Sequence, residues 1–226
     1  MAREICDIGF GGYKLLQDSD LYRYGTDAVL LSKFSNALHK DKVIDFCTGN
    51  GVVPLIVDAL YKPEKITGIE LQLASYLLAE ENAVLNNLSD KLKFICGDVK
   101  HIKDLCEEES VDLVTCNPPY FEDGKTIECD NTAMHIARHE TTANLEDFIS
   151  AASYVLKRGG RFCMVHRPSR LADIIEYSRK YNLEPKRLQM IAPYEDGAAN
   201  ILLIECVKGA GKELKVLPQL VLHTKE

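Results

Sequence analysis

The chain has 226 residues, of which 46% are hydrophobic and 27% charged, with a net charge of −7. This is the composition of a globular protein with a large core, and no apolar run approaches the roughly 20 residues that a membrane span needs. The N-terminus lacks the apolar core of a signal peptide, so we expect a cytoplasmic protein that does not associate with membranes.

Charge is unevenly distributed along the chain. Residues 41–156 contain nine Lys or Arg and 21 Asp or Glu, whereas residues 157–226 contain 13 and eight. An acidic protein of this kind can still present a basic face from its C-terminal third.

Eight cysteines are present, but none forms a C-x-x-C pair. Neither a zinc site nor a redox motif is therefore indicated, and we predict no metal. Five cysteines lie in or at the end of apolar, strand-like runs: Cys47, Cys96, Cys116, Cys163 and Cys206. We expect these five to be small buried hydrophobic residues in a reducing compartment.

The first 40 residues contain glycines beside aromatic residues, at 11–13 and again at 22–25. This pattern predicts a small hairpin or extended lid over residues 1–40, and we treat residues 1–226 as a single domain. A helix is predicted over residues 26–38, with Thr26 or Asp27 as its N-cap.

From residue 42 onwards, apolar strands alternate with amphipathic helices. The strands are predicted at 42–46, 65–69, 92–96, 111–116 and 160–165, and the helices at 52–61, 71–88, 101–106, 145–156 and 171–181. Continuously apolar strands in this alternation indicate a parallel sheet covered by helices on both faces.

The alternation stops after residue 181. Three successive strands, at 183–192, 199–207 and 214–222, predict an antiparallel edge to the sheet. Residues 120–143 form a long polar, aperiodic stretch, which is typical of a functional loop.

The first strand of the alternation runs into a glycine turn with the sequence V-I-D-F-C-T-G-N-G at residues 43–51. Gly49 and Gly51 permit positive φ and close approach of the backbone to a ligand. Pro54 occupies the place where a dinucleotide fingerprint has Gly or Ala, so NAD is disfavoured.

Acidic residues stand at three strand ends. Glu70 ends the second strand, 21 residues after Gly49, where a carboxylate accepts the hydroxyls of a ribose. Asp98 follows the third strand and suits an adenine amino group, while Asp45 precedes the glycines and suits an ammonium group. Three carboxylates without a phosphate site favour S-adenosylmethionine as the cofactor.

The tetrapeptide Asn117-Pro118-Pro119-Tyr120 follows the strand predicted at 111–116, and ligands bind at such carboxyl ends in open α/β sheets. The prolines offer carbonyls and no N–H, so with the Asn117 side-chain oxygen they can accept both hydrogens of a planar NH₂ group. Tyr120 offers a ring for stacking. A structural turn ending the strand is the other interpretation.

These motifs resemble class I S-adenosylmethionine-dependent methyltransferases that act on amino nitrogens. The runs G-T-D-A-V-L-L at 25–31, A-R-H-E at 137–140 and P-K-R at 185–187 are similar to the tRNA adenine N6-methyltransferase family, which modifies adenine 37 of valine tRNA. The resemblance covers nearly the whole chain and implies a Rossmann-like α/β fold, a mostly parallel sheet with an antiparallel C-terminal edge, and tRNA as the partner. The assignment of the substrate rests on these three runs, because many methyltransferases share the glycine turn and the Asn-Pro-Pro-Tyr tetrapeptide.

The resemblance also implies roles for individual residues. The cofactor-binding residues are Thr26, Asp27, Asp45, Cys47, Gly49, Gly51, Glu70, Leu71, Asp98 and Val99. The residues that hold the target amino group are Asn117, Pro118, Pro119 and Tyr120, and those that contact the substrate are Phe121, Arg138 and His139. Separately, the positive charge of the C-terminal third leads us to expect that phosphates of the RNA meet Arg167, Arg170, Lys186 and Arg187.

Three alternatives stay open: a glutamine N5-methyltransferase acting on release factors, a methyltransferase for ribosomal RNA amino groups, and a catalytically silent RNA-binding protein. Release-factor enzymes usually carry a helical N-terminal domain, which the residues before Val43 do not resemble. The intact acidic and glycine positions argue against a silent protein. The oligomeric state does not follow from the sequence.

Overall fold

The computed structural model describes residues 3–18, 21, 25–119 and 143–223. Its strands are β1 Arg3–Asp7, β2 Lys14–Asp18, β3 Lys42–Phe46, β4 Lys65–Glu70, β5 Leu92–Cys96, β6 Val111–Cys116, β7 Leu156–His166, β8 Leu183–Ala192, β9 Ile201–Lys208, β10 Lys215–Val216 and β11 Leu220–Val221. Its α-helices are α1 Thr26–Ser35, α2 Val52–Tyr61, α3 Leu73–Leu85, α4 Ile102–Leu105, α5 Leu145–Val155 and α6 Leu171–Lys180. Two short 3₁₀ segments, Val99–His101 and Pro168–Arg170, precede α4 and α6.

One mixed sheet organises the fold, with the strand order β10-β8-β9-β7-β6-β3-β4-β5 and β11 beside β8. Strands β3 to β7 pair in parallel, whereas β9 runs antiparallel to both β7 and β8. The predicted fold class, a mostly parallel sheet with antiparallel C-terminal strands, is therefore confirmed.

Two apolar cores cover the two faces of this sheet. Alternate residues of one strand point to opposite faces, so Val43 and Leu113 pack in the core under α1 and α2, while Ile44 and Val114 pack in the core with α5. Burial on both faces explains why these strands read as continuous apolar runs.

The N-terminal hairpin predicted from the sequence is present as the antiparallel pair β1 and β2. It is fixed to α3 through Asn82, whose side chain accepts a hydrogen bond from Leu16 N (2.6 Å) and donates to Leu16 O and Asn50 O (both 3.0 Å). The buried Asn82 amide thus joins the hairpin, α3 and the glycine turn.

Several predicted boundaries are wrong. The N-cap of α1 is Gly25, not Thr26 or Asp27. Helix α3 is shorter than predicted, since Glu70 accepts a hydrogen bond from Gln72 N before the helix begins and Asn87 adopts positive φ after its end.

The predicted C-terminal strands also need correction. Strand β7 begins at Leu156, before the start predicted at residue 160, and its pairing with β6 is irregular between Val111 and Leu113. The strand predicted at 214–222 is two short strands that run parallel to β8. Pro218 stands between them, and a proline has no N–H for a continuous ladder.

Candidate active site

The carboxyl ends of β6, β3, β4 and β5 lie side by side and carry most of the predicted site residues. In the register of the sheet, Phe46 pairs with Ile69 on one side and Cys116 on the other, and Glu70 pairs with Cys96. The residues that follow these ends, including Cys47 and Asn117, therefore meet at one end of the sheet, which we call its carboxyl edge. Connections leave β3 and β6 in opposite directions, which makes this edge the topological switch point where α/β sheets bind ligands.

The glycine turn between β3 and α2 has the backbone geometry that the sequence predicts. Gly49 and Gly51 have φ of +57° and +82°, and Cys47 also has positive φ, at +56°. A Cβ at Gly49 would meet no atom within 4 Å, whereas one at Gly51 would lie 3.1 Å from Phe94 Cζ. Gly49 therefore borders open space, while Gly51 is needed for packing against Phe94.

Glu70 braces this turn from the end of β4. One carboxylate oxygen accepts a hydrogen bond from Gly49 N and the other accepts from Gln72 N, both at 2.9 Å. Each oxygen keeps a second lone pair for another donor. The sequence predicted Glu70 as a ligand only, and its role in ordering the turn was missed.

Asp45 is a buried carboxylate with one oxygen in use. Its side chain is 1% exposed, and Oδ1 accepts a 2.6 Å hydrogen bond from Thr115 Oγ1 on β6. Within the described residues, Oδ2 makes no hydrogen bond. The hydroxyl of Thr48 lies near the carboxylate but also forms no hydrogen bond of good geometry.

The surroundings make Asp45 a weak acid. Burial raises the pKa of Asp45 to about 7, and the negative charge of Glu70 adds to the rise, while the hydroxyls of Thr115 and Thr48 oppose it. Close to neutral pH, the charge on this side chain therefore depends on whether a cation is beside it.

The end of β5 contributes Asp98, which is half-buried. Its Oδ1 accepts a hydrogen bond from Lys100 N (2.9 Å) and caps the 3₁₀ segment. Gly97 N donates to Glu70 O (2.9 Å), so the ends of β4 and β5 stay together. Val99 is buried in the core and Leu71 is exposed, so only Leu71 of these two presents its side chain at the surface.

The tetrapeptide after β6 is described as far as Pro119. Asn117 is half-buried, Pro118 is buried and Pro119 is exposed. The other predicted substrate residues, Tyr120, Phe121, Arg138 and His139, lie outside the described residues.

Helix α1 begins with Thr26 and Asp27 and is fixed to the sheet at its other end. Arg161, which pairs with Leu113 near the start of β6, donates hydrogen bonds to Ser35 O (3.0 Å) and Asn36 O (2.9 Å) at the end of α1. Thr26 is exposed and Asp27 is half-buried. Their predicted contact with the cofactor stays a prediction.

Two residues of this edge were missed by the sequence interpretation. One is Thr115, which reads as one more β-branched strand residue. The other is His166 at the end of β7, whose Nδ1 accepts a hydrogen bond from Arg167 N (2.8 Å). Burial, helped by the charges of Arg170 and Arg167, lowers the pKa of His166 to about 4. Its position at a strand end was the available signal.

The cysteines largely follow the prediction. Cys116, Cys163 and Cys206 are buried, and burial raises the pKa of each thiol well above its ordinary value. Cys96 is exposed and Cys47 is half-buried, so for these two residues the prediction of burial was wrong.

The part of the chain that the structure describes shows neither a metal site nor a membrane span. No group of three or more His, Cys, Asp or Glu side chains is arranged there to hold a metal ion. None of the helices of that part has the length and apolar composition to cross a membrane.

Comparison with known families decides the class of protein to which this edge belongs. Residues 24–176 match the family model described as "Methyltransferase small domain". The chain belongs to this family.

Similar proteins agree with the family. A curated relative from Porphyromonas gingivalis, "tRNA1(Val) (adenine(37)-N6)-methyltransferase", is 28% identical over 187 residues, covering 80% of this chain and 72% of the relative. Among solved structures, a predicted O-methyltransferase from Agrobacterium tumefaciens matches with a TM-score of 0.71, 22% identity and 88% coverage of both chains. Geranyl diphosphate methyltransferase in complex with S-adenosylmethionine matches with a TM-score of 0.59, 14% identity and coverage of 81% and 84%.

The predicted fold class and enzyme class are thereby confirmed. This member of the methyltransferase small domain family has the class I methyltransferase fold, and S-adenosylmethionine is the cofactor of that family and fold. In the structure, the matched region includes the glycine turn, Asp45, Glu70 and Asn117.

The burial of Asp45 leads to a prediction about stability. The folded protein holds a proton on Asp45 up to about pH 7, whereas the unfolded chain loses it near pH 4, so stability falls as pH rises through this range and stays low above it. Asp45→Asn keeps an acceptor for Thr115 and removes the buried charge. In urea unfolding without cofactor, we expect it to raise the free energy of unfolding at pH 8 by on the order of 1–4 kcal/mol and to have little effect at pH 5.

A matched control for this prediction is Asp58, which is equally buried but paired with Lys62 and Lys91. Burial opposes the ionisation of Asp58, but hydrogen bonds from Lys91, Tyr13 and Lys62 lower its pKa overall. Asp58→Asn should therefore destabilise the protein at pH 8. Equal destabilisation by Asp45→Asn at both pH values would mean that the charge on Asp45 is fully compensated.

Proposed function

We propose that this chain transfers the methyl group of S-adenosylmethionine to the exocyclic N6 of an adenine in tRNA, namely adenine 37 of valine tRNA. The observation that carries the proposal is the adjacency of Asp45 and Asn117, which lie at the carboxyl ends of the paired strands β3 and β6. A tRNA substrate also implies the cytoplasmic location expected from the sequence.

The described residues fit the cofactor. Asp45 offers a buried oxygen without a hydrogen bond, which suits the ammonium group of the methionine end. Glu70 has lone pairs left for the two ribose hydroxyls, and Asp98 lies next along the edge for the adenine. The open space over Gly49 allows a ligand close to the backbone. When bound, S-adenosylmethionine supplies an electrophilic methyl group on its sulfonium.

The Asn117-Pro118-Pro119 segment is suited to bind the other reactant. The side-chain oxygen of Asn117 and a proline carbonyl would accept the two hydrogens of the adenine amino group. Hydrogen bonds of this kind favour the pyramidal nitrogen whose lone pair attacks the methyl carbon, and they act most strongly as positive charge develops on that nitrogen. The amino proton leaves to solvent after transfer, so a strong base is not required. Tyr120 would stack on the base.

The amide of glutamine presents the same NH₂ group, which keeps a release-factor substrate as the second candidate. One observation favours tRNA. The relative that acts on valine tRNA aligns with 80% of the chain.

The structure places the four cations expected to meet phosphates in different surroundings. Arg187, expected from the sequence to meet phosphates, instead forms a partly buried ion pair with Glu205 (2.7 Å) and donates to Phe34 O (2.8 Å). Arg170 pairs with Asp173 (2.7 Å), and Lys186 donates to Gly211 O (3.1 Å). Arg167 is exposed and directly follows the carboxyl end of β7, at the edge that holds Asn117.

Asn117→Ala tests the proposed chemistry. In an assay with methyl-labelled cofactor and unmodified valine tRNA, we expect the parent protein to label adenine 37 and the variant to lose a factor of about 10²–10³ in turnover, since a preorganised acceptor is removed. Cofactor affinity should be retained.

Asn86→Ala is the control for this loss. Asn86 bonds the hairpin at Lys14 N and O (2.8 and 2.7 Å), so this variant should lose stability and keep turnover. Labelling of release factor or ribosomal RNA, with none of tRNA, would replace the proposed substrate. Full turnover by Asn117→Ala would make the tetrapeptide a structural turn.

Arg167→Ala tests the proposed RNA surface. Binding of tRNA to the parent should weaken with salt, and the variant should reduce the slope of log affinity against log salt by about 1, because one phosphate contact is lost. Arg158→Ala is the matched control, since Arg158 is exposed near the amino-terminal end of β7, whereas Arg167 follows its carboxyl-terminal end. Equal slopes for the parent and Arg167→Ala, or an equal effect of Arg158→Ala, would contradict this placement of the RNA.

A further inference from the structure

Thr115 is a buried polar residue in a strand whose neighbouring residues are apolar. It is fully buried on β6, between the buried residues Val114 and Cys116. Its register partner on β3 is Asp45, and its hydroxyl donates the 2.6 Å hydrogen bond to Asp45 Oδ1. This hydrogen bond engages one carboxylate oxygen and restrains the rotation of the carboxylate, while the second oxygen makes no hydrogen bond within the described residues.

We propose that Thr115 is a positioning residue for cofactor binding, whose hydrogen bond favours the ionised form of Asp45 and orients its second oxygen towards the ammonium group of S-adenosylmethionine. The inference rests on the contact between Asp45 and the cofactor proposed above. It adds a residue two positions before Asn117 on the same strand. Strand β6 would then orient the groups that bind both reactants.

The charges around Asp45 explain why this hydroxyl matters. The carboxylate of Glu70 on β4 lies near enough to disfavour a second negative charge, and the thiols of Cys47 and Cys116 offer no positive charge. Against burial and Glu70, the described surroundings supply only the Thr115 and Thr48 hydroxyls, and only that of Thr115 makes a hydrogen bond. A hydrogen bond donated to the ionised form lowers the pKa of a carboxyl group.

The consequence of losing the hydroxyl is dependent on pH. Asp45 titrates near pH 7 in the cofactor-free protein, so a further rise in its pKa leaves most molecules protonated at neutral pH. The cofactor must then displace that proton in order to bind. At higher pH the carboxylate is ionised with or without Thr115, and the loss should shrink.

A structural role for Thr115 would behave differently. If the hydroxyl only satisfies the packing of the core, its removal lowers stability or distorts the site to the same extent at every pH. The pH dependence of cofactor affinity, compared between the variant and the parent, therefore distinguishes a role in positioning a charge from a role in packing.

The test is the dissociation constant of S-adenosylhomocysteine between pH 6.5 and pH 8.5 for the parent, Thr115→Val and Thr115→Ser. Valine has nearly the same shape without the hydroxyl, and serine restores the donor. We expect Thr115→Val to weaken binding about 5- to 10-fold at pH 7 and about twofold or less at pH 8.5, with Thr115→Ser close to the parent throughout. The amino group of the ligand and Cys47 are common to all three proteins, so the ratio of the constants reports Asp45.

Three outcomes decide the proposal. The proposal is supported if the ratio of the dissociation constants of Thr115→Val and the parent falls towards 1 with rising pH and Thr115→Ser recovers parent affinity. A ratio that is constant with pH, or no weakening at pH 7, overturns it. If Thr115→Val does not fold, Thr115→Ala is measured in the same way with the same criteria. Asp45→Asn, measured alongside, tests the contact of Asp45 with the cofactor separately from the role of Thr115. Parent affinity in that variant would refute the Asp45 contact itself.

Discussion

The hydrogen bond between Thr115 and the buried carboxylate of Asp45 is the constraint around which the carboxyl edge of the sheet is arranged. It joins β6, which Asn117 follows, to β3, which the glycine turn follows. The connections that leave these two strands run in opposite directions. Because Asp45 is buried beside another carboxylate, its charge is costly in the free protein. We propose that the cofactor's ammonium group offsets that cost. The protein without cofactor is then less stable because of a charge that serves ligand binding.

Other contacts keep this edge rigid without using the ligand. Glu70 holds Gly49 N, and Asn82 holds the backbone of Asn50 from the side of α3. The turn is thus ordered before a ligand arrives, which lowers the entropy that binding has to overcome. Asn82 also forms hydrogen bonds with Leu16 of the N-terminal hairpin, so the hairpin is linked to the glycine turn through this side chain.

Much of the architecture was predictable because it depends on local pattern. Alternating apolar strands and helices define the sheet, and the strand ends locate Asp45, Glu70 and Asn117. What the sequence did not reveal depends on partners distant along the chain. Thr115 reads as a strand residue until its neighbour on β3 is known. Arg187 reads as a surface cation until Glu205 is placed beside it.

Proton release on cofactor binding tests the central claim most directly. Asp45 should be mostly protonated at pH 6.5 in the free protein, and contact with an ammonium group should ionise it. The measurement is titration calorimetry of S-adenosylhomocysteine at pH 6.5 in two buffers of different ionisation enthalpy. The expected result is the release of most of one proton per ligand bound, because a carboxyl group with a pKa of about 7 is mainly protonated at pH 6.5. Binding at the same pH without proton release would contradict it.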